Sequence, residues 1–132
     1  MELAKTLLQV VIALGLANVW ILRFGKPTAW RGGEATSMRE EFAVYGLPGW
    51  FMMVVGFLKL LCAALLIAGI WIPVLVQPAA LVIAVLMLGA IAMHVKVRDP
   101  LLRSLPALSV LVMALIVAYA AGSPPEAPPP PA

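Results

Sequence analysis

Apolar positions along the chain gather into four long runs separated by turns. Residues 3–22 form the first, with one charge, Lys5, near its start. At about 1.5 Å per residue, a helix of that length covers roughly 30 Å, the thickness of a bilayer's hydrocarbon core. Arg23, Gly25, Lys26 and Pro27 close it, placing cations at the negative end of the helix dipole and a residue without an N–H just beyond. Residues 47–72 make the second run, entered through Pro48, whose missing N–H costs nothing in a first turn. A third, shorter run, residues 79–95, sits at the lower limit for crossing a bilayer. The fourth, residues 105–121, has Ser104 as its expected N-cap and stops at Gly122 and Pro124. The pattern predicts an all-α fold, an integral membrane four-helix transmembrane bundle. It forms one domain over residues 1–122, followed by a disordered proline-rich tail, 123–132, that contains Glu126.

Between the first two runs the chain mixes Arg31, Glu34, Arg39, Glu40 and Glu41 with Trp30, Met38, Phe42 and Tyr45. Its aromatic residues suit the headgroup zone. Ser37 to Tyr45 reads as a short interfacial helix with Ser37 as N-cap and Glu40 as its capping-box partner; a solvated loop is the alternative. Small residues four apart recur on every span: Ala13 and Ala17, Ala64 and Ala68, Ala80 and Ala84, Ala114 and Ala118. Such pairs let membrane helices approach closely.

Composition sharpens this picture. Hydrophobic residues make up 64% of the 132, charged residues only 11%, and a water-soluble fold of this size would leave large apolar patches exposed. Lipid is therefore the expected solvent. A net charge of +3 does not point to nucleic acid, because the cations are spread over short loops with no basic stripe. Their distribution instead orients the chain. Arg23, Lys26, Arg31, Arg39, Lys96, Arg98 and Arg103 share one side and Lys5 has the other, so the positive-inside rule predicts cytoplasmic connecting loops and outward-facing termini. Lys5 and the small residues Gly15 and Ala17 also resemble a signal peptide, but the apolar run continues past them at full spanning length.

Few residues carry chemistry. Lys59 lies near the middle of the second span, where a cation costs about 2.5–3.5 kcal/mol. A ligand-filled or hydrated cavity, deprotonation on burial, or bonds to carbonyls and polar groups such as Asn18 would each accommodate it. Snorkelling alone is an incomplete answer at that depth. His94, near the end of the third span, is placed to form a polar cluster with Asp99, five residues on; charge balance with Lys96, Arg98 and Arg103 is the plainer role for Asp99. Cys62, the one cysteine, reads as a small buried hydrophobe. With a lone histidine and no membrane-embedded carboxylate, no metal site is expected. No Ser/His/Asp set, Walker loop or GxGxxG fingerprint occurs, so no catalytic residue is assigned.

Tyr45-Gly46-Leu47-Pro48, Gly56-Phe57-Leu58-Lys59, His94 followed by Asp99-Pro100, and Pro106-Ala107 together resemble the DoxX-like family of small four-helix membrane proteins. That family includes DoxX- and DoxD-type subunits and, more distantly, the nicotinic-receptor chaperone NACHO. Where relatives commonly carry Gly-x-x-Glu this chain has Gly56-x-x-Lys59, so an acidic role cannot be transferred to that position. The resemblance implies a bundle in the bacterial inner membrane. It also implies that some relatives act in quinone-linked redox complexes while others assist assembly of membrane partners. The expectation is an accessory bundle without catalysis of its own, holding a quinone or lipid, or docking a membrane partner or a second copy of itself. Its polar pocket would draw on Lys59, Asn18, His94 and Asp99. A subunit of a quinone-linked oxidoreductase and a membrane-protein assembly factor are the alternatives.

Overall fold

In a computed structural model that describes residues 1–124 and 127–132, the chain folds into five helices. They are α1 (Glu2–Ala17), α2 (Met38–Val44), α3 (Gly49–Ala68), α4 (Val76–Lys96) and α5 (Leu105–Gly122). No strand occurs among the described residues. Glu126 lies outside them. Four stretches are long and apolar enough to cross a membrane: Glu2–Leu22, Gly49–Ala68, Pro73–Lys96 and Leu101–Gly122. The protein is an integral membrane helical bundle, and the bilayer is the environment its surface demands. Leu3, Phe57, Leu88 and Tyr119, among many others, are exposed at its periphery, as helices solvated by acyl chains require.

The helices close into a ring in which α1 packs on α3 and α5, and α4 on α3 and α5. At the centre lies a core of Ile12, Leu16, Leu66, Val76, Ile83 and Val117. Small residues allow the close approach: Ala13, Ala80, Ala84, Ala114 and Ala118 are all buried there. On α3 the buried small residue is Ala63, and Ala64 faces outward. Two glutamines that the hydrophobic pattern hides tie this core across helices. Gln9 is 1% exposed and donates to the Leu66 carbonyl at 2.8 Å; Gln77 donates to the Ala118 carbonyl at 3.0 Å.

Helix ends differ from the sequence pattern for identifiable reasons. The third span is not short: the helix begins at Val76, preceded by a 3₁₀ turn (Pro73–Leu75), so Pro78 falls in its first turn, where proline is tolerated. Asn18–Leu22 continues α1 as a π turn. Ser104 caps nothing with its side chain, because a 3₁₀ turn, Leu101–Ser104, feeds directly into α5. Ser37 does cap α2, its hydroxyl accepting from the Glu40 N–H at 3.2 Å. The reciprocal half is displaced by one residue: the Glu40 carboxylate accepts from the Thr36 N–H and hydroxyl at 2.7 and 2.6 Å. Those bonds lower the pKa of the exposed Glu40 carboxyl.

Candidate functional site

Two helix ends on the loop side build the site's frame. At the end of α2, Gly46 adopts φ +78°; its N–H reaches the Ala43 carbonyl and the Leu47 N–H the Phe42 carbonyl. This is a Schellman cap, which needs a left-handed residue that glycine supplies without strain. At the end of α4 the same pair of bonds runs from Arg98 to Val95 and from Asp99 to His94, with Arg98 itself at φ 57°. The reversal folds Asp99 back onto the helix it leaves. Its Oδ2 lies 2.7 Å from His94 Nδ1. Lys96 then joins the two caps by donating to the Tyr45 carbonyl at 2.7 Å.

The loop between α1 and α2 is knitted to both ends. Arg31, only 4% exposed, donates to Glu41 Oε2 at 2.9 Å, to the Lys26 carbonyl at 3.1 Å and to the carbonyl of Arg23. Glu41 Oε1 accepts from the Tyr45 hydroxyl at 2.6 Å and from the Gly32 N–H at 3.1 Å. The next amide, Gly33 N–H, donates to Asp99 Oδ1 at 3.0 Å, and Arg103 donates to the same oxygen and to the Gly33 carbonyl. Burial, together with the hydrogen bond to and charge of Glu41, pushes the Tyr45 phenol well above its usual pKa, so it remains a donor. Burial alone would raise the Asp99 carboxyl. The hydrogen bonds from His94 and Gly33 and the charge of Arg103 outweigh it and hold Asp99 below the usual carboxylate range.

Beneath this polar layer a cavity of about 590 Å³ extends between the helices toward mid-membrane. Its walls are mostly apolar, with Val55 of α3, Val85 and Leu86 of α4 and Val110 of α5 among them. Aromatic rings flank the upper part: Trp20 meets Phe42 edge-on at 5.9 Å, and Tyr45 meets His94 edge-on at the same separation. Trp20 approaches α3 where Gly56 has no side chain; a Cβ there would lie 2.6 Å from the indole.

Lys59, Asn18 and His94 all line this one cavity; Asp99 does not and touches it through His94 and Arg103. The Lys59 ammonium stands 5.2 Å from the centre of the Trp20 ring, a cation–π contact worth about 0.5–2 kcal/mol. No hydrogen bond or ion pair reaches it from the described residues. Asn18 opens the π turn of α1. His94 is buried, and with Nδ1 on Asp99 its Nε2 is left without a protein partner among the described residues. Sequence reasoning placed Arg31, Glu41 and Tyr45 in an interfacial segment and gave them no part in the site. Their signal was weak: alternating charges and aromatics look the same in a solvated loop. Cys62 lies apart, in the main core.

The bundle and its loop-side polar layer define a small helical membrane protein with a cavity between its helices that opens to the surface. Across residues 7–119 the chain matches the DoxX-like family, and it belongs to that family. No curated protein and no solved structure matches it.

Proposed function

We propose that the protein is a ligand-holding bundle without catalytic activity of its own, keeping a lipid-soluble molecule between its helices for a membrane partner. The observation that carries this reading is the cavity of about 590 Å³ in which Lys59, Asn18 and His94 converge. Its size falls within the range of about 300–1,000 Å³ typical of small-ligand sites, and an apolar wall with a few convergent polar groups is their usual chemistry. An ionisable group inside a membrane is expensive enough that function is its default explanation. Family membership and the cation distribution support a bacterial inner membrane location with cytoplasmic connecting loops and outward termini. A reporter fused to Ala132 is then expected to report the outer side, and a cytoplasmic signal would invert the topology. Native mass spectrometry of gently extracted protein tests the main reading: a stoichiometric lipid or quinone adduct is expected, and bare protein from repeated mild preparations would refute it.

A second reading, a subunit of a quinone-linked oxidoreductase, is favoured by one observation. Asp99 fixes the His94 ring through Nδ1, which leaves Nε2 for a quinone oxygen while a partner chain supplies electrons. Stoichiometric quinone together with a co-purifying dehydrogenase would support it over a passive carrier.

A further inference from the structure

The charged groups lining the cavity narrow the chemistry of the ligand's head. They are Arg23, Arg31, Lys59 and Arg103 against a single acid, Glu41. Two of the cations are committed, Arg31 to Glu41 at 2.9 Å and Arg103 to Asp99 at 3.0 Å. Glu41 already accepts from Tyr45 and Gly32 at Oε1 and from Arg31 at Oε2, and it makes no ion pair with Lys59. Lys59 and Arg23 are left without an ion-pair partner among the described residues.

Lys59 also has an apolar, aromatic setting. Trp20 is 7% exposed, and its buried indole Nε1–H donates to no group among the described residues. Buried donors are ordinarily satisfied. The Lys59 ammonium stands over the face of this same indole, while the Nε1–H at the ring's edge is closed off from the cavity space. The ring supplies only a cation–π contact, and an ammonium in an apolar wall still requires a negative acceptor.

We propose that the cavity takes a single-chain amphiphile with an anionic head, a carboxylate or a phosphate monoester. Its charge lies at Lys59, its chain lies along the wall formed by Val55, Val85 and Val110, and Arg23 attracts the head at the mouth. This rests on the ligand-holding reading above and adds the class of ligand. The volume of about 590 Å³ suits one chain.

The test titrates the full-length, delipidated protein in detergent with four probes: palmitate, 1-palmitoyl lysophosphatidate, hexadecanol and a decyl-substituted benzoquinone. Tryptophan fluorescence and native mass spectrometry provide the readouts. Palmitate, lysophosphatidate or both are expected to bind at least tenfold more tightly than hexadecanol, and the better of the two identifies a free fatty acid or a lysolipid as the source. Lys59→Met is expected to lose that preference and Lys59→Arg to keep it. Equal binding of hexadecanol or the quinone, or palmitate binding unchanged in Lys59→Met, would overturn the anionic head while leaving a ligand-holding bundle intact. Binding of none of the four would remove both. Should Lys59→Met not fold, the wild-type preference between palmitate and hexadecanol decides alone.

Discussion

Glu41 ties the loop-side layer together, accepting from Arg31, Tyr45 and Gly32. It is 9% exposed and, among the described residues, the carboxylate with which Arg31, 4% exposed, pairs. Removing one partner of a buried pair leaves an uncompensated charge, so Glu41→Gln is expected to cost about 3–5 kcal/mol, read as a lowered melting temperature in detergent. The double variant Arg31→Met with Glu41→Leu is expected to recover only part of that loss, because no unpaired charge remains but the Tyr45 hydroxyl and Gly32 N–H lose their acceptor. Gly56 matters for the opposite reason, its lack of a side chain. In Gly56→Ala the new Cβ would meet Trp20 at 2.6 Å, and overpacking of this kind costs about 1–3 kcal/mol. The shifted indole would also leave the Lys59 ammonium, so loss of stability is expected together with changed tryptophan fluorescence.

Helix ends, more than helix bodies, assemble the site. Both α2 and α4 finish in Schellman caps, one with glycine at the left-handed position and one with Arg98. A non-glycine residue there carries strain of roughly 1–2 kcal/mol. Arg98→Gly is therefore expected to stabilise the bundle by up to about 1 kcal/mol, and Arg98→Val to weaken it; both are read by thermal unfolding. The α4 cap holds Asp99 against His94, so the valine variant is also expected to loosen the contacts that Gly33 and Arg103 make to Asp99. In sequence, the family-like Tyr45-Gly46-Leu47-Pro48 entry was legible as an element boundary. That the matching cap at Arg98 returns Asp99 to the helix was not, because nothing in the identity of arginine announces a left-handed residue.

At the scale of the whole molecule, Asp99 couples the loop-side layer to pH. Its carboxyl is depressed in the folded protein relative to an ordinary value of 3.8. A group of that kind contributes stability above the unfolded-state pKa and loses it as pH falls through the lower folded-state value. Melting temperature is thus expected to be insensitive to this group between about pH 7 and 5 and to fall below about pH 4. Asp99→Asn is expected to be less stable at neutral pH and to lack that acid-dependent component. A profile identical to wild type would mean that the contacts of Asp99 with His94, Gly33 and Arg103 carry no net energy.

Four apolar runs, sparse charge and the turns between them determined the membrane bundle without reference to any contact, because lipid forces each spanning segment to satisfy its own backbone hydrogen bonds. The sequence also marked Lys59, Asn18, His94 and Asp99 as polar exceptions, since polarity within an apolar run is visible locally. Only the tertiary structure decided what these exceptions face. Lys59 meets the Trp20 ring, His94 is held by Asp99, and a buried pair of Arg31 from the loop and Glu41 from α2 sits over the cavity, in a segment that read as interfacial. The physical reason is that burial and partnership belong to the packing of α1, α3, α4 and α5 around one another. The order of residues along each helix does not contain them.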